Sequence, residues 1–68
     1  MKITTIRNYN SKVLGYIETD ERGNKVAKDY NQRIIARYDA SRDVTTDYYG
    51  KVLAQGDILA GLIYKLDK

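Results

Sequence analysis

Tyrosine and arginine are the residues of this chain best equipped for chemistry. Seven Tyr occur in 68 residues, with no Phe and no Trp. Each joins a large apolar ring to a polar tip, which suits ligand-binding and protein-binding surfaces. Arg7, Arg33 and Arg37 lie close in sequence to Tyr9, Tyr30 and Tyr38. Such a pair can clamp an anionic, planar ligand such as a nucleotide. The guanidinium forks a phosphate while the ring stacks a base. Tyr is also a favoured strand residue, and that plainer role fits Tyr9, Tyr30 and Tyr48, which recur in register with a repeat. Tyr16, Tyr38 and Arg37 fall outside the register and are the stronger ligand candidates.

Other chemistry is excluded by composition. The chain has no His and no Cys, so neither a serine-type triad nor a thiol nucleophile can be assembled. Zinc and copper sites of the usual kind are excluded for the same reason. Acid–base work would fall to Asp, Glu, Lys or Tyr with strongly shifted pKa values. Such shifts need burial, which so short a chain provides sparingly. The protein is therefore expected not to be an enzyme. No GxGxxG or GxxxxGK[ST] phosphate loop occurs. Asp20, Glu21, Asp39, Asp43 and Asp47 do not match an EF-hand spacing and read as solvated loop carboxylates. No cofactor and no metal are expected.

Twelve Lys and Arg against nine Asp and Glu give a net charge of +3, with the signs interspersed. That excess favours anions weakly, through an attraction that salt screens. With no RRM, KH or helix-turn-helix signature, nucleic acid is not an expected partner. Met1 to Asn10 lacks the apolar centre of a signal peptide, and no stretch reaches the roughly 18 apolar residues of a membrane span. A cytoplasmic protein is expected.

The elements that must position these residues come from an internal repeat. Asn8-Tyr9-Asn10-Ser11-Lys12-Val13-Leu14-Gly15 aligns with Asp29-Tyr30-Asn31-Gln32-Arg33-Ile34-Ile35-Ala36. Both align with Asp47-Tyr48-Tyr49-Gly50-Lys51-Val52-Leu53-Ala54. Each copy reads Asp or Asn, Tyr, two turn residues, a basic residue, two aliphatics, then Gly or Ala. Repetition of this kind fixes architecture. One unit reads as a β-hairpin with a tight turn at Asn10-Ser11, Asn31-Gln32 or Tyr49-Gly50. After each turn the side chains alternate: Val13, Gly15 and Ile17 against Leu14 and Tyr16; Ile34, Ala36 and Tyr38 against Ile35 and Arg37; Val52 and Ala54 against Leu53 and Gln55. The small residue in every copy (Gly15, Ala36, Ala54) lets backbones approach where hairpins converge.

The units run about 4–22, 23–43 and 44–57 within one domain. The segment 58–68 changes period. Leu59, Leu62, Ile63 and Leu66 recur at helical spacing, with Asp57 as N-cap and Lys65 and Lys68 near the C-terminus. A short helix on the apolar side of the sheet fits best, and a final strand pair remains the alternative.

The repeat resembles that of the small bacterial β-flower proteins, which read like Tyr-Asp-x-x-Gly, Arg or Lys, Val, a hydrophobic residue and Gly. Asp47 to Ala54 is the nearest copy, and Gln55-Gly56-Asp57-Ile58-Leu59-Ala60-Gly61-Leu62-Ile63 is similar to the family's closing segment. The resemblance covers about residues 4–64. Ser11 and Gln32 stand where the family's turn carries Gly. It implies a mainly β fold of repeated β-hairpins around a common centre with a short C-terminal helix, and scarcely any function.

The functional expectation is a small binding module holding an anionic, nucleotide-like ligand, in a pocket formed by repeats or between subunits, and able to sequester it. Tyr16, Arg37 and Gln55 occupy one repeat column and are expected to approach one another, with Tyr38 beside them. They offer a stacking face, a cation and an amide. The alternative is a self-assembling interaction protein or a peripheral lipid binder contacting membrane through Ile58 to Leu66. Without disulfide or metal, so small a chain is expected to form a homo-oligomer, most simply a dimer.

Overall fold

A computed structural model describes residues 1–66. The repeat folds as a hairpin because of one hydrogen-bonding device. Asn8, Asp29 and Asp47 each open a turn, and each Oδ1 accepts two backbone N–H groups, two and four residues on. The donors are Asn10 and Lys12 (2.8 and 3.0 Å), Asn31 and Arg33 (2.8 and 2.9 Å), and Tyr49 and Lys51 (2.8 and 2.9 Å). The carbonyl of the same residue accepts the N–H three residues on, at 2.9, 3.0 and 3.1 Å. The fourth residue then turns left-handed: Ser11 (φ 66°), Gln32 (φ 69°) and Gly50 (φ 88°). The result is a three-residue loop closed by a left-handed residue, one longer than the expected tight turn. Asp20 builds the same turn, accepting from Arg22 and Asn24 at 2.9 Å ahead of Gly23.

The strands joined in this way are β1 Lys2–Arg7, β2 Val13–Thr19, β3 Lys25–Asp29, β4 Ile34–Asp39, β5 Val44–Asp47 and β6 Val52–Gln55. Among the described residues they form one open antiparallel sheet in sequence order, with β1 and β6 at the edges. The three repeat turns consequently share one end of the sheet, and the loops 20–24 and 39–43 share the other.

Every repeat also breaks register at the same column. Ile6 pairs Gly15 while Arg7 pairs Val13, so Leu14 is extra. Ala27 pairs Ala36 while Lys28 pairs Ile34, leaving Ile35, and Thr45 pairs Ala54 while Thr46 pairs Val52, leaving Leu53. This bulge interrupts the expected strict alternation immediately after each turn. Alternation resumes at the small residue.

The small residues make room for the helix. α1 spans Leu59–Tyr64 and buries Leu59 and Ile63 completely, against Ala27, Ala36 and Leu14. Each of those two side chains contributes about 1.5–3 kcal/mol by leaving water. A Cβ at Gly15 would collide with the Lys28 carbonyl oxygen and stand 3.2 Å from Ile63 Cγ2. The segment is thus a helix, though shorter than its periodicity suggests: Leu66 lies beyond it and is exposed, and Lys68 lies outside the described residues. Asp57 caps from one position earlier than expected. Ile58 is the N-cap, and Asp57 Oδ1 accepts the Leu59 N–H at 3.1 Å. Thr45, fully buried, ties the helix start to the sheet by donating to the Gly56 carbonyl (2.6 Å) and accepting from the Ile58 N–H (3.2 Å).

Two glycine substitutions should move stability in opposite directions in urea denaturation. Gly15→Ala should lower it by about 1–3 kcal/mol, because the new methyl overpacks the sheet–helix contact. Gln32→Gly should raise it by about 1 kcal/mol, because the left-handed backbone costs a non-glycine residue roughly that much.

Candidate functional site

The residues singled out in sequence form a diagonal across the sheet and not a cluster. Tyr16 on β2 lies beside Lys28, Arg37 on β4 lies between Val26 and Thr46, and Gln55 on β6 lies beside Val44. One intervening strand separates each from the next, about 10 Å, and each also sits two residues further along. The Lys28–Glu18 ion pair (2.8 Å) stands between Tyr16 and Arg37. The shared repeat column did not bring them together, because in an open sheet equivalent positions run in a line and converge only around a closed centre.

Tyr38 borders a second hollow of about 420 Å³ together with Arg37, but its ring is turned away from the diagonal. It follows Arg37 on the same strand and therefore faces the other side of the sheet. There it packs against the helix core, lies under the Lys25 ammonium (5.8 Å to the ring centroid), and donates its hydroxyl to Asp43 Oδ1 at 2.6 Å. Lys25 in turn pairs with Asp57 at 2.7 Å. Tyr38 thus helps fasten the start of the helix. The Asp43 hydrogen bond, burial and the nearby Asp43, Asp57 and Asp39 charges raise its pKa above 10.0.

A different constellation gathers at the end of the sheet that carries the repeat turns. Tyr9, Tyr30, Tyr48 and Tyr49 lie in the turns, outside every strand, with 94%, 64%, 55% and 89% of their surface exposed. Between the second and third turns a groove of about 580 Å³ is lined by Gln32, Arg33, Ile34, Tyr48 and Tyr49. Its two rings meet edge to face, 5.4 Å between centroids. The Arg37 guanidinium lies 5.8 Å from the Tyr48 ring centroid, at the back of this region. Of the four residues chosen from sequence, Arg37 is the one that touches a groove residue, and it does not itself line the groove. Among the described residues, Lys12, Arg33 and Lys51 have no acidic partner.

Such a groove can stack a planar group on tyrosine and meet its negative charge with Arg33. Tyr49 and Gln32 were missed in sequence, although a second Tyr at the third repeat column was a signal for one of them. No group of metal-binding side chains occurs among the described residues, and no helix there is long and apolar enough to cross a membrane. The chain matches no protein-family model, no curated protein and no solved structure.

The Lys25–Asp57 fastening predicts an acid response. Burial pushes the Asp57 carboxyl up, but Lys25 and the Leu59 N–H outweigh it and hold the group below 3.8. A lowered pKa contributes stability that is complete above the unfolded value and lost as pH falls through the folded one. Unfolding midpoints measured from pH 6 downward should therefore fall more steeply below about pH 4 for the parent than for Asp57→Asn. Parallel curves would show that the pair contributes nothing.

Proposed function

We propose that this protein is a non-enzymatic binding module that holds a small anionic, nucleotide-like ligand at the turn end of its sheet and thereby sequesters it. The observation that carries this reading is the groove between the second and third turns. It sets Arg33, which has no acidic partner among the described residues, beside an exposed edge-to-face tyrosine pair. Tyrosine's preference for strands does not account for rings held in turns, and exposed rings gain little for folding. Arg37 supplies a second cation behind Tyr48. The reading includes a cytoplasmic location, where free nucleotides are met.

Self-assembly is a second reading, favoured by the β6 edge. Val52 and Leu53 are half exposed on a strand whose outer side is unpaired. Antiparallel pairing with a second β6 would bring Lys51 of each copy toward Asp57 of the other, a favourable arrangement. The same pairing at β1 would oppose Lys2 and Arg7, which is unfavourable. A dimer joined at β6 is compatible with a ligand held within or between subunits.

A thermal-shift panel of nucleoside mono- and diphosphates tests the first reading. A ligand at about 100 times its Kd adds about 2.7 kcal/mol, a rise of more than about 10 °C for a chain of this size. Arg33→Ala and Tyr49→Ala should abolish the rise and leave the unliganded Tm unchanged. A panel without response, or a response that both variants retain, would remove the groove as the site. Native mass spectrometry of the same preparation reports the number of chains; a monomer at micromolar concentration would remove the second reading.

A further inference from the structure

We infer that the turn end of the sheet is a docking surface for an extended single-stranded nucleic acid, an inference that rests on the anion-binding reading above and widens its occupant from one nucleotide to a strand. The groove between the second and third turns uses Arg33, Tyr48 and Tyr49. It leaves the first turn unexplained, where Tyr9 is 94% exposed and Lys12 has no acidic partner among the described residues. Each of the three turns carries the same pair: a tyrosine at its second position and a cation at its fifth. The turns follow one another at two strand spacings, about 10 Å, so the row extends over about 20 Å. A mononucleotide touches one interval of that row. A strand laid across the turns touches all of it.

The local charge favours a polyanion more than the net charge suggests. The turns carry Arg7, Lys12, Arg33 and Lys51 against Asp29 and Asp47. The Oδ1 atoms of both carboxylates are already engaged, each accepting two backbone N–H groups. Asp20, Glu21, Asp39, Asp43 and Asp57 lie at the opposite end of the strands, where Lys2, Arg22, Lys25 and Arg42 nearly balance them. The turn end carries the larger positive excess, and a phosphate backbone is drawn there in preference to the other end. Aromatic platforms beside cations are the general means of holding single strands, because every base offers a face to stack. A duplex hides those faces. The turns hold Tyr, Asn, Ser, Gln and Gly beside their charged residues, and the aliphatic side chains next to them, Ile34 and Val52, are single residues and not a stripe of the kind that enters a lipid layer. That composition favours nucleic acid over a membrane surface.

Fluorescence anisotropy with labelled thymidylate, its trimer and its dodecamer tests the inference on the full chain. The dodecamer should bind at least about ten-fold more tightly than the mononucleotide. Its affinity should fall with salt at a log–log slope near −2, about 0.7 for each of three neutralised phosphates. Tyr9→Ala, a change at an exposed ring outside the groove, should weaken dodecamer binding by about ten-fold or more and leave thymidylate binding unchanged. Equal affinity across lengths, with Tyr9→Ala silent, overturns this inference and leaves the single-nucleotide reading standing. A duplex bound as tightly as the single strand overturns it. So does turn-dependent binding to phosphatidylserine vesicles without oligonucleotide binding. Failure to bind at any length removes both readings.

Discussion

One side-chain oxygen at the head of each turn constrains most of the remaining structure. It accepts two backbone N–H groups that the hairpin cannot pair with its partner strand, at Asn8, Asp29 and Asp47 and again at Asp20. Unpaired N–H groups favour other conformations, so this acceptor decides where each strand reverses. Fixing the reversal fixes the register, and a slip of one residue would send every side chain to the opposite face. The bulge at Leu14, Ile35 and Leu53 then restores the phase, so that Gly15 and Ala36 face the helix. The seat for Leu59 and Ile63 is thus determined some distance away, by turns that touch neither residue.

The dependence is strong because the core is small. Among the described residues its fully or nearly fully buried apolar members are Leu14, Ala27, Ala36, Leu59 and Ile63. Two are alanines, which bury little area and make room more than they add energy. The helix packs mainly on β1 to β4, and the buried residues of β5, Thr45 and Thr46, are polar. Polar contacts compensate at that boundary: Thr45 holds the Gly56 carbonyl and the Ile58 N–H, and Lys25 joins Asp57 to the ring of Tyr38. Hydrogen bonds of this kind contribute about 1 kcal/mol each, a large share where few aliphatic side chains are buried.

The hairpins were legible in sequence because the turn chemistry is local. A polar head, a left-handed fourth residue and an aliphatic pair lie within eight residues, and all three copies fold alike. The helix was legible through Leu59, Leu62 and Ile63, while its end was not, since Leu66 continues the period without a surface to bury against. The bulge was invisible because Leu14 looks like any alternating aliphatic residue. Only its partner strand reveals that Ile6 and Arg7 skip it. The expected approach of the candidate ligand residues failed for a long-range reason. Grouping Tyr16, Arg37 and Gln55 required a closed arrangement, and register within hairpins says nothing about how hairpins are arranged. Tyr38 was separable from Arg37 by alternation alone, a rule already applied to the same strand.

The division of labour between the two ends of the sheet comes from the same turn device. At Asp29 and Asp47 one carboxylate oxygen is engaged by the turn, while the tyrosine of the same turn is exposed and its cation has no acidic partner among the described residues. At the other end the acids serve the fold: Asp57 holds Lys25, Asp43 accepts from Tyr38, and Asp39 holds Arg42 at 3.0 Å. An interspersed sequence with a net charge of +3 therefore gathers much of its excess at the turn end. Charge counted along the chain averages over strands that run in opposite directions. Charge counted by turn does not, because alternate turns fall at the same end of an antiparallel sheet. The repeat that organises the fold thus also gathers cations and exposed rings into one row, without any single copy being able to form that row alone.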